Sequence, residues 1–191
     1  MAKHNFTVAN ALSLSRIVFL PLLFILAYYD KRLEFTIAYA IIGSTDAFDG
    51  WVARTFKQKS NLGKALDSGA DLLFYLASAW FLYVFYFNYL EPNLVLLYVV
   101  FGVLFLSFVV STALFKKPVM MHTYILKLAS ILVYFLILAS YFFDTTIFLT
   151  VVISTYILGF IEEILIFILY GHVDVDTRSI LTVEADRKAG D

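Results

Sequence analysis

Between Glu91 and Lys116 no charged side chain interrupts the chain, and the run "NLVLLYVVFGVLFLSFVVSTALF" has the length a helix needs to cross a bilayer. Charges and breakers cut the sequence into six apolar stretches of roughly 20 to 27 residues. They are residues 8–29, 35–54, 62–88, 93–115, 119–143 and 146–170. Pro92 and Pro118 stand in the connections, where a missing N–H costs least. The stretches are too long and too uniformly apolar for the period-two strands of a closed barrel, the other way to span lipid. Composition agrees: 62% of the 191 residues are hydrophobic and 15% are charged, far beyond what a soluble core needs. The expected fold is therefore all-α and integral to the membrane, with six transmembrane helices.

Loop charge gives the expected orientation. The connection after the second stretch carries Arg54, Lys57, Lys59 and Lys64, and the one after the fourth carries Lys116 and Lys117. The other connections hold Asp30, Lys31, Arg32 and Glu34, then Glu91, then Asp144. Lysine and arginine stay on the cytoplasmic side, so the N and C termini are both expected there. The N-terminal "MAKHNFTVANALSLSRIVFLPLLFILAYYD" has the outline of a signal peptide, but its apolar run is long, contains Arg16 and leads into further apolar segments. It is read as a first, retained span. Residues 1–170 are taken as one transmembrane domain and residues 171–191 as a polar cytoplasmic tail.

Several classes of function are excluded. With 14 basic and 15 acidic residues the net charge is −1, so there is no global field to draw nucleic acid. The chain has no cysteine, which removes disulfides, thiolate catalysis and cysteine-ligated metal.

Ionisable residues within apolar helices are expensive and need a reason. Here they are Arg16, Asp46, Asp49, Asp67, Asp71, Lys127, Glu162 and Glu163. In the inferred orientation all eight fall in the cytoplasmic half, as one cavity open to the cytoplasm would require. Asp46 and Asp49 are spaced i,i+3, and Asp67 and Asp71 i,i+4, so each pair shares a helix face. Gly50, Ala53 and Gly63 extend these faces with small residues that let a backbone or ligand come close. Four carboxylates brought together in low dielectric need neutralising. An all-oxygen set without histidine or cysteine suits hard divalent cations such as Mg²⁺ or Mn²⁺, and four carboxylates can hold two of them.

The segment "TDAFDGWVARTFKQKSNLGKALDSGAD" reads Asp46-x2-Asp49-Gly50-x2-Ala53-Arg54-x8-Gly63-x3-Asp67-x3-Asp71, eight fixed identities over 26 residues. It resembles the signature of the CDP-alcohol phosphotransferase family, and "NALSLSRIVFLPLLF" resembles the family's first span. The resemblance implies a phospholipid-synthesising enzyme. It would transfer a phosphatidyl or archaetidyl group from a CDP-lipid to an alcohol, with release of CMP. Asp46, Asp49, Asp67 and Asp71 would coordinate two divalent cations, and Asp71 would also be the catalytic base. The CDP moiety would lie against Asp46, Asp49, Gly50, Ala53, Arg54, Gly63 and Asp67. The resemblance also implies a homodimer, working in the cytoplasmic membrane with its active site facing the cytoplasm.

Other residues carry two readings. Arg16 and Lys127 either bind a phosphate on the acceptor or pair with Glu162 and Glu163, and pairing is preferred because a lone charge there is costly. Asn10 touches the nucleotide or caps the first helix. His122 approaches the acceptor or is merely interfacial. The acceptor is open as well. Phosphatidylglycerophosphate synthases usually carry proline after the third aspartate and lysine after the fourth, where this chain has Ser68 and Leu72. Inositol-type members usually carry arginine at the position of Leu72, and serine-type members often share the serine and leucine. Glycerol 3-phosphate is the first choice, from the similarity of the first span and the size; serine and inositol phosphate are alternatives. Two other classes of function fit less well. Intramembrane prenyltransferases use two separated aspartate motifs, and only one cluster is present. A small ion-coupled transporter would show repeats or helices broken at mid-membrane.

Overall fold

The computed structural model describes residues 8–55, 61–116, 119, 121, 123–171 and 179–181, with the side chains of residues 8–10, 12, 46–55, 61–68 and 72 outside the description. Among the described residues every regular element is helical: α1 (Val8–Tyr28), α2 (Arg32–Thr55), α3 (Asn61–Phe85), the short α4 (Phe87–Leu90), α5 (Leu94–Phe115), α6 (Tyr124–Ser140) and α7 (Thr146–Tyr170). A 3-10 turn, Glu91–Asn93, joins α4 to α5 around Pro92. The chain divides into two compact units. One comprises Met1–Phe87 with Ile137–Phe143, the other Asn88–Leu136 with Asp144–Asp191.

In the first unit α1 packs on both α2 and α3. Phe24 of α1 lies 5.0 Å from the rings of both Trp80 and Phe81 of α3, and Arg16 earlier on α1 meets Asp71 earlier on α3, so these two helices run parallel. Phe35 of α2 meets Phe81 and Phe85, and Tyr39, one turn later, meets Phe74, so α2 and α3 are antiparallel. Between them lies a buried hydroxyl pair, Tyr39 Oη and Ser78 Oγ, 2.7 Å apart. Ser78 donates to the carbonyl of Phe74, which leaves Tyr39 as the donor to Ser78.

The second unit repeats the up-down-up course. Asn93 donates to the Thr146 carbonyl (3.1 Å) and accepts from Thr150 Oγ1 (2.7 Å), while Phe115 stacks edge-on against Phe167, so α5 and α7 are parallel. α6 runs against them. A Cβ on Gly159 of α7 would stand 2.6 Å from Leu126 Cδ2 of α6, so the absent side chain sets how closely these helices meet. Asp144 caps the start of α7 by accepting from the Thr146 hydroxyl (2.6 Å) and N–H (2.8 Å). These bonds, the hydroxyl's first, hold its carboxyl below the ordinary pKa.

The distribution of polarity is that of a lipid-solvated helix. On α5 the buried positions are Val100, Ser107 and Ser111, one face at seven- and four-residue steps, while Val95, Tyr98, Phe101 and Phe105 point outward. Large apolar groups outside and small polar ones between helices invert the pattern of a water-soluble bundle.

The expectation of six transmembrane helices is corrected here. Among the described residues two helices are long and apolar enough to cross a membrane, Phe87–Phe115 and Thr146–Tyr170. The other apolar helical segments, Ser13–Tyr28, Gly69–Phe85 and Tyr124–Ser140, are shorter. At about 1.5 Å per residue, the 17 residues of α6 extend roughly 25 Å, less than the roughly 30 Å hydrocarbon layer. The sequence stretches reached spanning length by including polar ends: Lys64 and Asp67 lie near the start of α3, and Asp46, Asp49 and Arg54 near the end of α2. The fifth stretch also loses its first turn, because Met121 and Thr123 lie outside any helix and α6 begins at Tyr124. The inferred cytoplasmic placement of both termini rested on six crossings and falls with them.

Candidate active site

Helix α2 ends, and α3 begins, with the aspartate motif. The backbone of α2 carries Asp46, Asp49, Gly50, Ala53 and Arg54 in its C-terminal part, and that of α3 carries Gly63 and Asp67 near its start. The side chains of these residues, with His122 and the side chain of Asn10, lie outside the described residues. Asp71 is described, and its environment is informative.

Asp71 is 33% exposed and forms an ion pair through Oδ1 with Nη1 of Arg16, which is 2% exposed on α1. The parallel register of α1 and α3 produces this contact. Phe24 packs beside Trp80 and Phe81, and two to three turns earlier on each helix a nearly equal offset aligns Arg16 with Asp71. A buried guanidinium needs such a carboxylate, since a charge stripped of water and left uncompensated is strongly destabilising.

Within the second unit Glu162 and Glu163 take donors other than the expected Lys127. Glu163, 1% exposed, accepts from Ser107 Oγ (2.8 Å) and the Met121 N–H (2.5 Å). It thus ties α5 and the segment before α6 to α7, over a cluster of Met121, Ile166 and Phe167. Glu162 accepts from Ser179 Oγ (2.9 Å) and the Ile180 N–H (3.2 Å), which holds the residues after α7 against that helix. Lys127 is exposed on α6. Both glutamates therefore accept from neutral donors that carry no charge signal in the sequence, Glu163 through both oxygens and Glu162 through Oε1.

Replacing Glu163 with alanine would leave the Ser107 hydroxyl and the Met121 N–H without their acceptor, at about 1–3 kcal/mol for each orphaned group. The expected result is a thermal midpoint in detergent lower by about 5 °C or more. An unchanged midpoint for Glu163→Ala would contradict this role.

An open cleft of 520 Å³, lined by Phe24, Ile25, Tyr28, Tyr29 and Trp80, lies toward the opposite end of α1 from Arg16. Its lining carries no charged side chain to hold a diphosphate or a cation, so the candidate site stays with the aspartates. Their donor set, four carboxylates with no cysteine in the chain, fits a hard divalent cation. Among the described residues there is no group of three or more histidines, aspartates and glutamates, since three of the four motif side chains are outside them.

A sequence model of the CDP-alcohol phosphatidyltransferase family matches residues 6–168. The chain belongs to this family. It is similar to the cardiolipin synthases (CMP-forming) of Rattus norvegicus and Homo sapiens, each 40% identical over 73 residues, covering 36% of this chain and 23% of the relative. It is also similar to CDP-diacylglycerol–glycerol-3-phosphate 3-phosphatidyltransferase of Aquifex aeolicus, 34% identical over 67 residues, covering 35% of this chain and 38% of that protein. These alignments therefore span under two fifths of each relative's length. No solved structure matches the chain significantly. Family membership and the two long apolar helices together support association with a membrane.

Proposed function

We propose that this protein transfers a phosphatidyl or archaetidyl group from a CDP-lipid to an alcohol, releasing CMP, in phospholipid synthesis. The observation that carries the reading is the aspartate motif on two neighbouring helices of a chain that matches the family over residues 6–168. The packing of α2 on α3 supports it. Phe35 lies against Phe81 and Phe85, and Tyr39 against Phe74 and Ser78. Extended toward the connection between the helices, this antiparallel register brings the Asp46–Asp49 face level with Asp67 and Asp71 to within about a turn.

In this reading residues 1–170 form the transferase domain, with residues 171–191 as a polar tail. Asp46, Asp49, Gly50, Ala53, Arg54, Gly63 and Asp67 bind the CDP moiety. Gly50, Ala53 and Gly63 allow the diphosphate close to the helices. Asp71 accepts the proton of the acceptor hydroxyl as its oxygen attacks the lipid-side phosphorus; the bond from that phosphorus to the CMP oxygen breaks and CMP leaves. Two divalent cations held by Asp46, Asp49, Asp67 and Asp71 would supply charge stabilisation at the diphosphate oxygens. Phosphoryl-type transfer is mostly positioning and charge, so one compact site suffices.

For the acceptor we take glycerol 3-phosphate, which the name of the Aquifex relative contains. The mammalian relatives favour a second reading, synthesis of cardiolipin with formation of CMP. Mass spectrometry of the lipid product decides between them. The purified protein is given CDP-diacylglycerol with glycerol 3-phosphate, phosphatidylglycerol, serine or inositol phosphate. The expected product is phosphatidylglycerophosphate. Cardiolipin as the sole product would replace the first reading with the second, and phosphatidylserine or an inositol lipid would displace both.

A further inference from the structure

Arg16 reaches Asp71 from a different helix, and its place there is fixed by packing. Phe24 is wedged against Trp80 and Phe81 on the same pair of helices, so α1 cannot slide along α3 without breaking these ring contacts. Ser13 and Arg16, one turn apart, are both buried on α1. The guanidinium is thus delivered by a rigid element to Oδ1 of a carboxylate that is itself one-third exposed. A guanidinium is planar and permanently charged, and it restricts the orientation of the carboxylate it binds far more than a flexible ammonium does.

We infer that Arg16 is a positioning residue for the transfer reaction: by engaging Oδ1 of Asp71 it sets the direction in which that carboxylate faces the acceptor hydroxyl. The inference rests on the proposed reading of Asp71 as the base. It differs from the sequence expectation that Arg16 binds a phosphate on the acceptor: the partner of Nη1 is Asp71. A base must stand within hydrogen-bond reach of the proton it takes, and small misplacements reduce rate steeply. Arg16 therefore acts on turnover through another residue.

The test uses full-length protein in detergent and the variants Arg16→Gln, Arg16→Lys and Asp71→Asn. Arg16→Gln should lower kcat by about 10–100-fold, the range for a residue that orients another, with acceptor KM nearly unchanged. Arg16→Lys, which keeps the charge without the planar fork, should recover part of that loss. Groups that act as one unit are not additive, so the double variant Arg16→Gln/Asp71→Asn should turn over no more slowly than Asp71→Asn. Mn²⁺ affinity, read by electron paramagnetic resonance without turnover, should be no weaker in the double variant than in Asp71→Asn.

Losses that multiply in the double variant would overturn the inference. So would an intact kcat with a raised KM confined to phosphate-bearing acceptors, which would return Arg16 to acceptor binding. Should Arg16→Gln fail to fold, the same cycle with Arg16→Lys is decided by the same outcomes. Normal turnover in Asp71→Asn alone is a separate result, overturning the assignment of the base whatever Arg16 does.

Discussion

Asp71→Asn is expected to lower turnover by about 10²–10⁴-fold, the usual contribution of a positioned general base. The substitution keeps the side chain's size and one carbonyl-type oxygen for Arg16, so the α1–α3 packing should persist. Phe24, Trp80 and Phe81 hold those helices independently of the ion pair. Binding of the CDP-lipid should be largely spared, because Asp46, Asp49 and Asp67 remain. The check is single-turnover CMP formation at saturating donor, alongside donor affinity and the thermal midpoint. Near-normal turnover would move the base elsewhere. Lost donor binding with the fold intact would make Asp71 chiefly a ligand of the donor complex.

Chelation is expected to have an effect at least as large. With EDTA in excess, CMP formation should fall below detection, and Mg²⁺ or Mn²⁺ added back should restore it. The reasoning starts from the donor set. Asp46, Asp49, Asp67 and Asp71 offer only oxygen ligands, the preference of small hard cations, and the chain has no cysteine to recruit a softer one. Without cations, several carboxylates would stand beside a donor diphosphate that is itself anionic, and repulsion would oppose binding. Titrating the restored activity against each metal checks the expectation. Full activity in chelator would remove the metals from the account.

The family was legible because its signal is local. Four aspartates at i,i+3 and i,i+4 within apolar sequence announce two helix faces and a charge to be neutralised, and the motif links them to a family that the comparison with known sequences supports. The α-helical class and the extent of α5 were legible for the same reason, since that run is uninterrupted and bounded by Pro92 and Lys116. The number of spanning helices was not. Hydrophobic content alone cannot say where polar residues at the ends of α2 and α3 cease to belong to an apolar layer, nor that Val119, Met121 and Thr123 precede α6 rather than begin it.

Partners across the fold were equally hidden. Arg16 and Asp71 are 55 residues apart, and their meeting depends on the parallel register of α1 and α3, which no local pattern encodes. Glu162 and Glu163 were read as waiting for a cation. They are occupied instead by a serine hydroxyl and a backbone N–H each, donors that occur throughout any sequence. A buried carboxylate needs compensation, and for Glu163 hydrogen bonds to both oxygens supply it.

The most direct test of the central claim is CMP release by the purified full-length protein from CDP-diacylglycerol in detergent, with Mg²⁺ and glycerol 3-phosphate, against a reaction lacking the acceptor. The account predicts CMP that depends on both acceptor and metal, formed in step with a new phospholipid. Folded protein that neither releases CMP with any alcohol acceptor nor binds the CDP-lipid in the presence of metal would contradict it.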